Sequence, residues 1–256
     1  MHQEYSMASL PRPSPTELGI KLVDGPHKQE PANRRIRGLL GDQWIFDSLG
    51  ARYVWEHPYF PYYYVPEKDI TAGPAKIEKE KEDKAGFWLG MIRSGAMTAE
   101  AQGYDKGPLQ GLVKVKVSDI DWFAEDEKLL GGHPKDPYKR IEILPSSREI
   151  RVELNGTVLA QSANNMFLHE TMLPTRYYLP PTSIKDWSLL SKSDTSTFCP
   201  YKGQASYYDV KVGDVEVKDA VWYYVYPTSE SAAIQGRLCF YNEKFDVFVD
   251  GVREKR

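Results

Sequence analysis

Part of this chain occurs twice. Residues Ile36 to Ile70 align without a gap onto Ile150 to Ile184, at a constant offset of 114. Nine of those 35 positions are identical: Ile36/Ile150, Arg37/Arg151, Leu40/Leu154, Ser48/Ser162, Glu56/Glu170, Tyr63/Tyr177, Tyr64/Tyr178, Pro66/Pro180 and Ile70/Ile184. Chance pairing at ordinary residue frequencies gives roughly two matches, so this is an internal duplication of domain size. A chain of 256 residues with a 114-residue period divides into two small domains. The duplication also directs the search for function. Only the second copy continues into Thr197-Phe198-Cys199-Pro200-Tyr201-Lys202-Gly203, a compact polar and aromatic motif.

The text inside each copy reads as β-strand. Glu149 to Leu154 alternates polar and apolar residues, Asn155-Gly156 is a hairpin turn signal, and Thr157 to Ala160 resumes the alternation. The first copy repeats this plan around Arg35 to Leu40, Gly41-Asp42 and Trp44 to Phe46. Further short β-branched or aromatic runs follow at Tyr207 to Val212, Val221 to Val225, Arg237 to Tyr241 and Phe245 to Val249. Apolar positions at helical spacing are nearly absent. The expected fold class is mainly β, as two tandem small domains with few short helices.

Three boundaries follow. Residues 1–33 carry five prolines among polar residues and are expected to form a flexible arm. The first repeat then covers 34–145 and the second 146–256. Thr71 to Gly111 reads as an insertion in the first repeat. Its charged run, Lys76 to Lys84, suits a solvated loop or a short exposed helix, and Phe87, Trp88, Leu89 and Met91 suit a cover over a neighbouring site.

Composition narrows the partners. A formal charge of -3 and a pI near 6.0 give no basic footprint for nucleic acid or an anionic membrane. No apolar run approaches membrane-spanning length and no signal-peptide core is visible, so the expected location is cytoplasmic. Cys199 and Cys239 match no metal knuckle, and His2, His27, His57, His133 and His169 are scattered. No phosphate-cradling glycine motif and no G-x-S-x-G elbow occur. The expectation is therefore no metal and no cofactor.

Several stretches in order resemble a bacterial and fungal family known as DUF427, a domain of unknown function. They are Asp121 to Glu127, His133 to Arg140, Leu144 to Arg148, Glu170-Thr171, Pro174 to Tyr178, Cys199 to Gly203 and Asp250-Gly251. The chain is similar to the tandem two-domain form of that family, which also carries the label nucleotidyltransferase-like. The resemblance implies β-tent-like domains, related to methionine sulfoxide reductase B, with a metal-free pocket between sheets.

Within the second copy, Glu170 stands among apolar strand residues. Desolvation is expected to raise its pKa and suit it to acid/base work, unless it only fixes the fold through hydrogen bonds. Lys202 lies three residues from Cys199, so it either lowers the thiol pKa for nucleophilic chemistry or anchors an anionic ligand while Cys199 packs. Arg176, Tyr177, Tyr178, Tyr207 and Trp222 complete the candidate pocket. Alternation sends Tyr177 and Tyr178 to opposite faces, so one of them reaches the interior.

The first expectation is a cofactor-independent enzyme using acid/base catalysis on a small organic molecule, by isomerisation, cyclisation, dehydration or hydrolysis. The second is a module that binds a small ligand or peptide without turnover. The third, nucleotidyl transfer, rests on the family label and requires two carboxylates converging on a metal ion.

Overall fold

The computed structural model describes residues 13–83 and 85–255. They form two compact units that divide between Asp136 and Pro137. Among the described residues, no helix is long and apolar enough to cross a membrane.

The N-terminal unit contains helix α1 (Pro15–Asp24) and strands β1 (Lys28–Pro31), β2 (Ile36–Leu40), β3 (Gln43–Ser48), β4 (Arg52–Trp55) and β5 (Tyr62–Pro66). After the short helix α2 (Glu67–Thr71) come β6 (Lys76–Asp83), β7 (Phe87–Ser94), β8 (Met97–Tyr104), β9 (Leu112–Val115), β10 (Asp121–Ala124) and β11 (Glu127–Lys128). They build a seven-stranded sheet, β1-β4-β5-β9-β8-β7-β6, and a four-stranded sheet, β11-β10-β2-β3.

The C-terminal unit contains β12 (Ile141–Ser146), β13 (Ile150–Leu154), β14 (Thr157–Ser162), β15 (Asn165–Glu170), β16 (Arg176–Leu179) and β17 (Leu190–Cys199). It continues with β18 (Gly203–Val212), β19 (Val215–Pro227), β20 (Leu238–Phe240), β21 (Asp246–Val249) and β22 (Val252–Arg253). Its seven-stranded sheet runs β12-β15-β16-β20-β19-β18-β17 and its four-stranded sheet β14-β13-β21-β22. Strand for strand, the neighbours are those of the N-terminal unit. The duplication thus spans eleven strands per unit, well beyond the 35 residues in which sequence identity survives.

Local chemistry explains the hairpins. Asn155 and Gly156 both adopt positive φ (50° and 79°) between β13 and β14, as the mirror-image turn of a tight hairpin requires. In each unit one face of the large sheet closes on the small sheet. Ile36, Ile45, Phe46, Tyr63, Val65 and Trp88 pack there in the first unit, and Ile150, Leu159, Phe167, Tyr177, Leu179 and Phe240 in the second. The opposite, outer face carries a second apolar cluster in each unit.

Three expectations need correction. The 71–111 segment is not an insertion: β6, β7 and β8 take the places of β17, β18 and β19 in the matching sheet. Its charged run is the edge strand β6, paired only with β7. Charge on an edge strand discourages pairing with foreign strands, which accounts for a composition that resembles a loop. Lys84 lies outside the described residues. Phe87 and Trp88 are buried within β7 rather than folded back as a cover.

The arm is not loose over 13–33. β1 pairs with β4, from Lys28↔Trp55 to Pro31↔Arg52, so the first unit begins before residue 34. Ahead of it, Ser14 caps α1 in a reciprocal capping box with Glu17, and Pro15 supplies the first helical turn. Residues 1–12 of the expected arm lie outside the described residues. The second unit likewise begins before 146, because β12 pairs with β15 from Ile141↔Glu170 to Ser146↔Asn165.

Candidate functional site

Strand alternation decides which side chains reach the outer face of the C-terminal large sheet. Residues two apart share a face, so Leu168 accompanies Glu170, Arg176 accompanies Tyr178, and Trp222 accompanies Tyr224. Together with Tyr207 and Tyr241 they surround a cavity of about 160 Å³, open to solvent at its mouth. Leu173 and Pro174 form one lip, and Lys202 projects in from the turn between β17 and β18.

That turn is held from below. Lys202 N–H donates to the Cys199 carbonyl (3.2 Å), and the Tyr201 carbonyl accepts from the hydroxyls of Thr228 (2.5 Å) and Ser231 (3.0 Å). Gly203 has φ +101°, and a Cβ there would sit 3.0 Å from the Tyr226 carbonyl oxygen. Glycine is required at this point for both reasons.

Glu170 is the one carboxylate on the cavity wall among the described residues. Lys202 Nζ donates to its Oε2 (2.5 Å), and Lys139 Nζ lies 2.9 Å from its Oε1. The Glu170 side chain is only 6% exposed. Burial pushes its carboxyl upward, but the field and hydrogen bonds of Lys202 and Lys139 outweigh burial and hold it below the ordinary value. Burial likewise pushes Lys202 down, while Cys199 and Glu170 more than compensate and leave its pKa raised. The expectation of a raised Glu170 pKa is therefore wrong. Two lysines, unforeseen as a pair, convert a buried carboxylate from a proton carrier into a fixed anion.

The wall residue Arg176 belongs to a second ion pair. Both terminal nitrogens of Arg176 donate to the Glu243 carboxylate, each at 2.8 Å. Its guanidinium lies 5.5 Å from the Trp222 ring centroid and 5.9 Å from that of Tyr241. Trp222 Nε1 donates to Tyr178 Oη at 2.9 Å, and the two rings meet edge to face. Burial drives the Tyr178 and Tyr224 phenols far above their usual range, so both stay protonated at neutral pH. Tyr207 Oη shares a 2.7 Å hydrogen bond with Thr197 Oγ1.

Six of the eight residues singled out from sequence thus meet on one cavity: Glu170, Arg176, Tyr178, Lys202, Tyr207 and Trp222. Tyr177 does not. It packs on the inner face, where its hydroxyl bonds Glu254. Cys199 ends β17 within interaction range of Lys202 but stands off the cavity wall. Sequence reasoning missed Lys139, Tyr241 and Glu243, and placed Tyr224 only within the strand run Val221 to Val225. Alternation from Trp222 is enough to place Tyr224, whereas Lys139, 31 residues from Glu170, carries no spacing signal.

The corresponding face of the N-terminal unit is closed. Glu56, the partner of Glu170 in the duplication, is also 6% exposed on its side chain. It accepts from Lys114 Nζ and from Tyr64 Oη, the latter at 2.9 Å. The lysine comes from another place. Matched pairs Val65↔Val113 and Leu179↔Leu238 put Lys114 of β9 where β20 has Cys239. The same registers put Gln102 in the place of Trp222. Helix α1 covers this face: Leu22 is fully buried against Val54, Tyr64, Phe87 and Tyr104. Gln102 Nε2 reaches the Pro15 carbonyl (3.4 Å), and a Cβ on Gly19 would fall 2.4 Å from the Phe87 ring. The resemblance implied a pocket between sheets. In the C-terminal unit the cavity lies instead on the outer face. In the N-terminal unit a concavity of only about 10 Å³ lies beside Tyr63 and Trp122, which belong to the two facing sheets.

Residues 142–251 match the model of a family described as a domain of unknown function, DUF427. The match runs from β12 through β21 and includes the cavity. Comparison with curated proteins returns no match.

Proposed function

Starting from a C-terminal unit that carries a DUF427 domain, we propose that this unit binds a small organic molecule in its outer-face cavity. Among the described residues, the N-terminal unit has α1 over the equivalent face. One observation carries this reading: the same sheet face is open in the C-terminal unit and filled by α1 in the N-terminal unit. A concave site with mostly aromatic walls and a few fixed polar groups suits a small ligand. Free thiols at Cys199 and Cys239 fit a protein of the reducing cytoplasm.

The geometry favours binding over general base catalysis by Glu170. Both carboxylate oxygens are engaged by lysines and the carboxyl pKa is lowered, which leaves a weak base. Nucleotidyl transfer needs paired carboxylates for a metal ion, and among the described residues Glu170 is the one carboxylate on the cavity wall. Isomerisation, dehydration or hydrolysis in this cavity falls instead to Lys202 as electrostatic stabiliser and to the neutral phenols as proton donors.

The test is ligand-observed NMR with a mixed small-molecule library on the full chain. Trp222→Ala is expected to abolish the hits, and Tyr104→Phe in the N-terminal unit to keep them. Hits that survive Trp222→Ala would overturn the assignment.

A further inference from the structure

We propose that the cavity selects a one-ring, planar organic monoanion, an aryl carboxylate in chemical class, with its charge at Lys202 and its ring against Trp222, Tyr207 and Tyr241. The inference rests on the binding reading above and adds the ligand's size, shape and charge.

Size comes first. A cavity of about 150 Å³ lined by apolar groups holds one benzene ring, and this one measures about 160 Å³. A nucleoside or a fused multi-ring system would extend past the cavity's open mouth into solvent. Shape follows from the walls. Five aromatic side chains face the cavity, and Trp222 and Tyr241 meet at a ring-centroid separation of 4.4 Å. Flat aromatic walls favour a flat ring through offset or edge-to-face contact.

Charge comes from the side chains. Arg176 and Glu243 cancel. Lys202 and Lys139 share one carboxylate, Glu170, so this wall keeps one positive charge in excess. Lys202 Nζ lines the cavity and directs one proton to Glu170 and one to Cys199, leaving the third for a ligand oxygen. One excess charge at one point matches one carboxylate. A cation meets repulsion there, and a dianion finds only half the compensation.

The experiment is a titration of the full-length protein, followed through the indole N–H resonance of Trp222, which Trp222→Phe identifies. Four probes separate the claims: benzoate, benzamide, acetate and 2-naphthoate. Benzoate is expected to bind at least tenfold more tightly than neutral benzamide, and more tightly than 2-naphthoate, while acetate leaves Trp222 unmoved. Lys202→Met should bring benzoate down to the affinity of benzamide. Lys139→Met should weaken benzoate by a smaller factor, since it leaves Glu170 paired with Lys202. Benzamide or acetate equal to benzoate, or 2-naphthoate at least as tight, would overturn the ligand class and leave the cavity reading standing. If no ring compound moves Trp222, the cavity reading itself fails and takes this inference with it.

Discussion

Glu56 and Glu170 are the same residue in two copies of one fold, equally buried, and each is answered by lysine from a different direction. In the N-terminal unit the answer is Lys114 of β9, two strands over, with Tyr64 of the intervening β5 adding a hydroxyl. In the C-terminal unit it is Lys202 from a turn and Lys139 from the segment before β12. A buried carboxylate needs a cation, but the fold does not dictate which element supplies it. Where the lysine comes from a strand, the face above is free to be sealed by a helix. Where it comes from a turn, the face stays open and the lysine stands at the mouth of a cavity.

The contrast can be broken by removing either cation. Lys114→Met leaves Glu56 buried with no basic partner, and stripping one member from a buried pair costs about 3–5 kcal/mol. Hydrogen exchange in β4 and β5 should report a loss of that size, with β15 and β16 unchanged. Leu22→Ala tests the seal. Leu22 is fully buried on the outer face, and leucine truncation in a core costs about 2–5 kcal/mol. Faster exchange in α1 and β7 would measure it.

Lys202→Met should cost less than Lys114→Met, about 2 kcal/mol for one charged hydrogen bond, because Lys139 remains on Glu170. Equal losses in the two units would refute the idea of a shared clamp. The clamp also sets a pH dependence. The Glu170 carboxyl is depressed from its ordinary 4.5, so its contribution is present above that pH and is lost as pH falls through the lower folded value. Lys202 is raised above 10.5, so its contribution is full below that pH and is lost as pH rises past the folded value. Glu170→Gln should flatten the acid limb of stability measured in β15 and β16. The smallest effect belongs to Cys199→Ser. Cys199 stands off the cavity, and the change should stay within about 0.5 kcal/mol.

Much of this was legible in the chain itself. The constant offset of 114 announced two copies, and alternation placed Tyr177 and Tyr178 on opposite faces, where they join different clusters. The charged run at 76–84 misled because edge strands and loops share a composition when both must repel partners. The arm misled for a different reason. Ser14-Pro15-x-Glu17 is a helix-start signal, and Leu18 and Leu22 fall at i, i+4, but ten residues hold too little of that pattern to stand out among prolines. Glu170 misled most usefully. Its apolar strand neighbours were visible in sequence, while the lysines that invert its pKa lie 31 and 32 residues away, and only the folded sheet brings them together.

The most direct measurement is a crystal structure of the full chain soaked with a set of one-ring aromatic fragments. The account predicts fragment density between Trp222, Tyr207 and Lys202, with none on the Tyr64 and Tyr104 face beneath α1. Fragments under α1, or a C-terminal cavity that stays empty at saturating concentration, would contradict it.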